Sequence, residues 1–399
     1  PGIMGSKLNN LHDTEIWPSL TDMVLQIPDT YLDELILDAN GDSLEPVSSG
    51  SIIKEIEGSN FFEGLFSQIS SNEYIENEDF FEFPYDWRLN IETTALILKN
   101  TIDEIKIERG VNKVDLVAHS MGGLLVKKYL KEYGGDSVDK LIDIGTPHTG
   151  APKAFKIMNY GDDMGFRPLG ISILNFGKVK KISQNMPAIY QLLPSQNYFN
   201  SSEYYVLDGT SGNNRLDFAE TKDYLKSSGR NATLVDRADT FHQEIDGLDP
   251  ATYGVDTYNI VGCGTPTLGK FYLLHGGENP IYNIGYVNGD GTVPLTSAEA
   301  MPAGKTYYLK GARHAIMPST SGVKELVAGV LTSTPSTGSG QAADFDISPY
   351  ANLAMSASGC ALPNGRVVSL HSPIELHIYD STGNHVGPDT NGDIENALP

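Results

Sequence analysis

The sequence predicts an α/β fold built on a mostly parallel sheet. Apolar runs alternate with a helical pattern in three consecutive segments, Val114–Val117, residues 122–133 and Lys140–Ile144. That alternation is typical of βαβ units, in which successive strands run parallel. The chain has 399 residues, 40% of them hydrophobic, which is enough to fill one large core and a smaller appendage.

The first of these strands passes into its helix through a sharp turn centred on Ser120. In the segment Val114-Asp-Leu-Val-Ala-His-Ser-Met-Gly-Gly123, small residues, Ala118 and Gly122, lie two positions before and after this serine. Small residues allow the tight turn of a G-x-S-x-G nucleophile elbow, although Ala118 stands where glycine is usual. The turn exposes the hydroxyl at a helix N-terminus, whose dipole favours developing negative charge. Ser120 is therefore the predicted nucleophile.

A serine hydroxyl needs a base, and His314 is the predicted one. It follows the apolar run Thr306–Leu309, where a last core strand would end. In folds with a nucleophile elbow, the histidine base lies after the last core strand. His119 lies beside the nucleophile and is predicted to point into the packing. His148 is predicted to lie near the rim of the pocket.

Asp290 is the predicted acid that orients the histidine. It lies in the glycine-flanked loop Val287–Pro294, and glycines let such a loop approach the base closely. The resulting chain order is Ser, Asp, His. Asp143 is the alternative, but it lies within an apolar strand rather than in a loop.

The predicted oxyanion hole consists of two backbone N–H groups that are fixed before the reaction. One belongs to Met121, the residue after the nucleophile. The other is assigned to Ile3, because Pro1-Gly-Ile-Met-Gly-Ser6 is a turn-rich loop of the kind that supplies an early donor.

A small, polar segment at 332–341 predicts a linker between two domains. Residues 1–331 form the predicted catalytic domain. Within it, the stretch from about 147 to 285 is longer than a doubly wound sheet needs, so we interpret it as a cap inserted over the active site. Residues 342–399 are predicted to be a partial β-rich module, because runs such as Ile374–Tyr379 alternate apolar and polar residues.

The charge balance argues against nucleic acid as a partner. With 51 acidic and 28 basic side chains the net charge is −23, so long-range electrostatics would repel nucleic acid and anionic membranes. No run approaches the roughly 18 apolar residues that cross a bilayer. The two cysteines, Cys263 and Cys360, are assigned to different domains and lack metal-ligand spacing, so neither a disulfide framework nor a zinc site is predicted.

Seven short motifs follow one another between residue 1 and about residue 330. They are Pro1–Leu8, Tyr85–Arg88, Ala118–Gly123, Gly145–Pro147, Leu192–Pro194, Gly289–Val293 and His314. In this order they resemble the lecithin:cholesterol acyltransferase and lysosomal phospholipase family of α/β-hydrolases. The resemblance implies the α/β-hydrolase fold and the roles assigned above to Ser120, Asp290, His314, Ile3 and Met121.

The resemblance also implies a cap or lid that binds acyl chains, and chemistry that uses no cofactor. No metal site is predicted. Trp87, Met186 and Tyr190 are predicted to line the acyl pocket. The expected reaction is attack of Ser120 on an acyl ester, giving an acyl-enzyme that water or an alcohol resolves. The chain is thus predicted to be a lipase, phospholipase or esterase, or an O-acyltransferase, acting on lipid-like esters at a lipid–water interface.

The linker and β module resemble those of secreted microbial lipases, so an extracellular or cell-surface location is predicted. We also expect a strand and any signal peptide to precede Pro1, and the C-terminus at Pro399 to be incomplete. Two acidic loops, Asp38–Asp42 and Asp389–Glu395, carry oxygen ligands at alternate positions without completing an EF-hand pattern. Asn231-Ala-Thr233 fits a glycosylation sequon.

Other classes of function stay open at the level of the sequence. One is a catalytically inactive surface protein in which a hydrolase-like domain binds lipid or glycan. Another is a peptidase or amidase of the same fold, which an open cleft in place of a deep acyl pocket would favour. Reaction of Ser120 with a fluorophosphonate separates an enzyme from the inactive protein.

Overall fold

The computed structural model divides into two units, Pro1–Leu362 and Pro363–Pro399. The residues that it describes are 1–19, 30–56, 58–162, 174–202, 204–209, 212, 214–275, 281–333, 345–362, 378–379, 385–388 and 394–396. Most of the predicted linker, residues 334–341, lies outside the described residues.

Strands and helices alternate along the first unit. Its described strands are β1 (Ser6–Asn9), β2 (Glu15–Trp17), β3 (Ser48–Ile52), β4 (Glu55–Ile56), β5 (Ser59–Asn60), β6 (Val114–His119), β7 (Val138–Ile144), β8 (Val206–Asp208), β9 (Asn214–Leu216), β10 (Asp256–Cys263), β11 (Thr265–His275), β12 (Ile281–Gly289), β13 (Lys305–Lys310) and β14 (Leu353–Ala354). Its described helices are α1 (Glu63–Ser70), α2 (Ile91–Arg109), α3 (Met121–Tyr133), α4 (Pro152–Tyr160), α5 (Phe176–Ser183), α6 (Pro187–Gln191), α7 (Gln196–Ser202), α8 (Phe218–Ser227), α9 (Ala232–Ile245), α10 (Leu295–Ala298) and α11 (Val323–Thr332). Short 3-10 turns cover Thr30–Leu35, Pro250–Tyr253, His314–Ser319 and Ala357–Gly359.

The core sheet has the strand order β14-β13-β10-β7-β6 in the described part of the chain. Strands β6, β7, β10 and β13 are parallel, and β14 is antiparallel to β13. Neighbouring residues of β7 face different apolar clusters: Leu141 packs with α2 and α3, and Ile142 packs with α1 and α11. Helices therefore cover both faces, which is why β7 is buried along nearly its whole length. The predicted α/β-hydrolase fold is confirmed.

The stretch predicted as one cap insertion contains a strand of the core sheet. After β7 the chain leaves the sheet to build α4 to α9 with β8 and β9, returns as β10, and leaves again as the hairpin β11–β12. Because β8 pairs with β11, the two excursions share a sheet of order β12-β11-β8-β9 in the described residues. The prediction of a single cap insertion at 147–285 is therefore corrected to two excursions separated by β10. A buried parallel strand has no alternating pattern to distinguish it from cap segments.

Residues 345–362 belong to the first unit and not to the predicted C-terminal module at 342–399. β14 pairs with β13, the Lys310 amide donates to the Asn352 carbonyl at 2.8 Å, and Cys360 forms a disulfide with Cys263 at the end of β10. The predicted start of the second unit at residue 342 therefore moves to residue 363. The prediction that the two cysteines form no disulfide is wrong. A segment rich in turn formers marks a change of composition, but the chain beyond it still packs on the core.

In the second unit the described residues form three antiparallel strands, β15 (Ile378–Tyr379), β16 (His385–Pro388) and β17 (Ile394–Asn396), in that order. Residues 389–393 of the second acidic loop lie outside the described residues. Among the helices that the structure describes, none combines the length and the apolar character needed to span a membrane.

Candidate active site

Ser120 occupies a strained turn between β6 and α3. Its φ of 58° and ψ of −127° are rarely adopted by a residue with a side chain, and such strain is typical of a nucleophile elbow. The Ser120 amide donates to the Ile144 carbonyl at 2.9 Å, which ties the turn to the end of β7. Gly122 is required by packing, because a Cβ there would lie 2.9 Å from the Pro1 carbonyl oxygen.

His314 lies between Ser120 and Asp290. Its Nε2 is 2.9 Å from Ser120 Oγ, and its Nδ1 is 2.7 Å from Asp290 Oδ2. The second carboxylate oxygen, Oδ1, accepts the amides of Thr292 at 2.9 Å and Val293 at 2.7 Å, so the buried Asp290 side chain is fixed in orientation. Since a carboxylate accepts the Nδ1 proton, the Nε2 lone pair faces the serine hydroxyl. This arrangement can remove the hydroxyl proton during nucleophilic attack.

The early loop lies directly against the elbow. Its turn is closed by a hydrogen bond from the Gly5 amide to the Gly2 carbonyl at 3.1 Å. A Cβ on Gly2 would lie 2.6 Å from Ser120 Cβ, so only glycine permits this approach. Ile3 lines the cavity beside Ser120, and Met121 is the first residue of α3. The predicted oxyanion donors thus lie on the two segments that flank the serine.

A mostly apolar cavity of about 170 Å³ contains Ser120 and His314 in its wall. Its lining includes Ile3, Met4, Trp17, Ile53, Phe61, Phe62, Ile157, Ile189 and Leu192, with Lys153 as a cationic member. A smaller apolar cavity of about 30 Å³ shares Met4, Trp17, Ile157 and Ile189 with it. The two cavities are therefore neighbours, and the larger one contains the serine in its wall.

The three predicted acyl-pocket residues do not line the main cavity. Trp87 and Met186 line the smaller one. Tyr190 is held instead by two hydrogen bonds of its hydroxyl group to the backbone. The Tyr190 hydroxyl donates to the Gln184 carbonyl at 2.6 Å and accepts the Asn231 amide at 2.9 Å. All three side chains are buried. Tyr190 lines neither of these two cavities, and the acyl-binding role of Trp87 and Met186 stays a prediction.

Asp143 and His148, the rival acid and the predicted rim histidine, both lie beneath the site. The two side chains are fully buried and 3.6 Å apart, so the placement of His148 at the rim needs correction. Burial raises the pKa of Asp143 to about 7, against the effects of a hydrogen bond with Thr146 and of the Lys127 charge. The Thr146 hydroxyl lies 2.8 Å from the Ser120 carbonyl oxygen. Asp143 therefore contacts Thr146, which is bonded to the backbone of Ser120, whereas Asp290 contacts the base His314.

Two weaker sequence signals have local structural roles. Asp38 Oδ1 accepts the amides of Asn40 at 2.8 Å and Asp42 at 3.0 Å, so this carboxylate stabilises its own turn. Asn231, the sequon asparagine, caps α9 and donates its amide to the Ala39 carbonyl at 2.8 Å. Within the described ranges, no group of three or more His, Cys, Asp or Glu side chains is arranged to hold a metal ion.

A family model described as lecithin:cholesterol acyltransferase matches residues 43–246, just over half of the 399 residues. The chain belongs to the lecithin:cholesterol acyltransferase family. The matched segment includes the Ser120 elbow, α4 and α6, and it ends before Asp290.

Curated members of the lecithin:cholesterol acyltransferase family are similar over part of their length. A lysosomal phospholipase A and acyltransferase of Bos taurus is 28% identical over 235 residues, covering 56% of this chain and 54% of the relative. A phosphatidylcholine-sterol acyltransferase of Gallus gallus is 26% identical over 257 residues, covering 59% and 56% respectively. The chain thus spans about half the length of the curated relatives it matches.

A solved structure supports the fold assignment independently of the family match. A chain in the Tle4–Tli4 complex superposes with a TM-score of 0.53 and 15% sequence identity, covering 82% of this chain and 96% of that chain. At this level of identity the likeness concerns the fold alone. The α/β-hydrolase core of the lecithin:cholesterol acyltransferase family member described here is therefore shared with a distant structure.

Proposed function

We propose that this chain is a serine hydrolase of lipid-like carboxylic esters. The observation that carries the proposal is the hydrogen-bonded series Ser120, His314 and Asp290 in the wall of an apolar cavity. A buried carboxylate, an oriented imidazole and a strained serine are the parts that nucleophilic acyl transfer needs.

In the proposed reaction, His314 removes the hydroxyl proton as Ser120 Oγ attacks the ester carbonyl carbon. The oxyanion of the tetrahedral intermediate accepts the Ile3 and Met121 amides. His314 then protonates the leaving alcohol, and the acyl group stays on Ser120 as an ester. Attack by water, assisted by His314, releases a carboxylic acid, whereas attack by an alcohol forms a new ester.

The apolar cavity supports an acyl chain as the part of the substrate that is bound. Its lining combines the early loop, residues that precede α1, and the cap helices α4 and α6. Burial of methylene groups against such a wall contributes about 0.8 kcal/mol for each group. The names of the two curated relatives, a phospholipase A and acyltransferase and a phosphatidylcholine-sterol acyltransferase, are in accord with glycerophospholipid as the first natural substrate to test.

The disulfide supports an extracellular or lysosome-like location. Cys263 and Cys360 are buried and joined. Structural disulfides form and persist in oxidising compartments and are rare in the cytosol. We therefore propose that the protein works after export.

Hydrolysis of p-nitrophenyl esters with acyl chains of increasing length tests the proposal. Ser120→Ala should abolish turnover and covalent labelling by a fluorophosphonate. Ser71→Ala, at an exposed serine that caps α1, is the matched control and should behave as the parent. Turnover that survives in Ser120→Ala would refute Ser120 as the nucleophile. A folded parent that reacts with neither ester nor fluorophosphonate would overturn the proposal in favour of an inactive binding protein.

Product analysis separates hydrolysis from acyl transfer. With a phospholipid or p-nitrophenyl ester as donor, addition of a long-chain alcohol should divert part of the acyl group into a new ester if acyl transfer occurs. Release of fatty acid alone, at all alcohol concentrations, would assign the chain to hydrolysis. An amide analogue of the ester should be cleaved far more slowly, and equal rates would favour the peptidase or amidase alternative.

A further inference from the structure

His119, the residue before the nucleophile, contacts the backbone of the base. Its Nε2 lies 3.0 Å from the His314 carbonyl oxygen. The two imidazole rings lie side by side, with centroids 4.9 Å apart and planes inclined by 36°. The Phe62 ring also packs edge-on against His119, with centroids 5.7 Å apart. The His119 ring therefore contacts both an aromatic side chain and the base.

The hydrogen bond fixes the tautomer of His119. A backbone carbonyl only accepts, so His119 Nε2 must carry the proton and donate it. Burial, and then the proximity of His314, lowers the pKa of His119 well below its ordinary value. The ring is consequently neutral, and its single N–H is committed to the His314 carbonyl. This leaves His119 unable to act as a general acid for the substrate.

The backbone of His314 is thereby held on both sides. Its amide donates to the Asp290 carbonyl at 2.9 Å, and its carbonyl accepts from His119. His314 begins the short 3-10 turn His314–Ser319, so a long helix does not fix its position. The imidazole must nevertheless reach two partners at 2.7 and 2.9 Å. Small displacements of a base from such a geometry are costly, about 10²-fold in rate for a shift of about 1 Å.

We propose that His119 is a positioning residue, which holds the His314 backbone so that the imidazole bridges Ser120 and Asp290. The inference rests on the proposed function. Because His119 precedes the nucleophile directly, it couples the position of the base to the strand that carries the serine. A movement of β6 would then carry the nucleophile and the support of its base together.

A pair of substitutions tests the role. His119→Phe keeps an aromatic ring beside His314 and Phe62 but removes the donor. His119→Gln keeps an N–H near the position of Nε2. On a short-chain ester, His119→Phe should lower kcat by about 10- to 100-fold with KM changed by no more than about twofold, and His119→Gln should recover most of the loss. A phenylalanine variant with parent kcat, or a glutamine variant as slow as the phenylalanine one, would overturn the proposal.

A measurement without turnover keeps this test separate from that of the proposed function. The Nδ1 proton of His314, bound to Asp290, should give a strongly downfield proton NMR resonance in the parent and in His119→Gln. It should broaden or disappear in His119→Phe at the same pH and temperature, although the unfolding temperature of both variants stays close to the parent. If the parent hydrolyses no ester, the enzyme proposal fails, and an unchanged resonance in His119→Phe still refutes the positioning role.

Discussion

Gly145 lies against His314 so closely that a Cβ on the glycine would come within 3.4 Å of His314 Nδ1. The same Cβ would lie 3.3 Å from Asp290 Oδ2, the oxygen that His314 contacts. Gly145 adopts a φ of 61°, and its amide donates to the Ile260 carbonyl at 2.8 Å. Gly145, which follows β7, therefore covers the hydrogen bond between base and acid, and it has little freedom to move away.

Gly145→Ala should lower kcat for ester hydrolysis by about tenfold, since the added methyl group presses on the Asp290–His314 contact. The positive φ should also cost about 1–2 kcal/mol of unfolding free energy. Gly110→Ala is the matched control: its φ is 66°, and a Cβ there meets nothing within 4 Å. Steady-state kinetics and denaturant unfolding should show a similar loss of stability in both variants and a loss of kcat in Gly145→Ala alone. Equal kcat values would refute a role for this contact.

Asp290→Asn should reduce kcat on the order of 10⁴-fold while the protein stays folded. An asparagine amide directed at His314 Nδ1 favours the tautomer whose Nε2 carries a proton, and that nitrogen cannot then accept from Ser120. Asp143→Asn, at the rival carboxylate, should retain kcat within about tenfold, because Asp143 does not contact the base. The reverse result in single-turnover kinetics would assign the acid to Asp143.

Ile157→Phe should shorten the preferred acyl chain. Ile157 lines both the main and the smaller cavity, so a larger ring would reduce the apolar space available to an acyl chain. We expect kcat/KM for palmitoyl esters to fall about tenfold or more and that for butyryl esters to change little. Ile157→Val, which adds no bulk, is the control. An equal effect on both chain lengths would place the acyl chain elsewhere.

Asp143 should make the stability depend on pH in a defined direction. Its pKa is raised to about 7 in the folded protein, whereas an unfolded aspartate titrates near its ordinary value of about 3.9. The folded state therefore binds the proton more tightly, and the contribution to stability is full below about pH 4 and is lost as pH rises toward about 7. We expect the unfolding free energy of the parent, measured by urea denaturation at several pH values, to fall over this interval relative to that of Asp143→Asn. The parent value minus the variant value should therefore decrease as pH rises. A difference that increases with pH would contradict the buried, protonated carboxyl.

Loss of the disulfide should destabilise the first unit. The bond joins positions 97 residues apart, and the enclosed segment carries Asp290 and His314. In the chain-entropy model such a loop contributes about 2–5 kcal/mol, mainly by restricting the unfolded chain. The double variant Cys263→Ser, Cys360→Ser should therefore melt at a lower temperature, and the parent in reductant should approach it. An unchanged melting temperature in calorimetry would show that the bond does not constrain the unfolded state.

The elbow and the order of the candidate triad follow from the sequence because their signals are local. Ser120 lies in one continuous strand–turn–helix pattern, and Asp290 and His314 each follow a strand of recognisable composition. Ser120 and His314 follow strands of the parallel core sheet, whose carboxyl ends meet at one edge. Asp290 follows β12 in the second sheet, so its approach to His314 depends on tertiary packing that the sequence pattern does not show.

The cavity lining could not be predicted in the same way. Trp17, Phe62 and Ile157 come from segments far apart in the sequence, and each reads as an ordinary core residue. Trp87 reads equally well as a pocket residue, yet it lines only the smaller cavity, and its indole N–H donates to the Ser6 carbonyl at 3.1 Å. Which large apolar residues border a cavity is decided by tertiary packing, for which a single sequence has no periodic signal.

The disulfide between Cys263 and Cys360 links the chain before Thr332 to the chain after Phe345. The two parts therefore have a second covalent connection besides the backbone between them. A single peptide bond cut in that interval would yield two polypeptides that migrate as one species until a reductant separates them. New chain ends could be introduced there to make a split form of the protein. The disulfide would hold the two pieces together, and a reductant would release them.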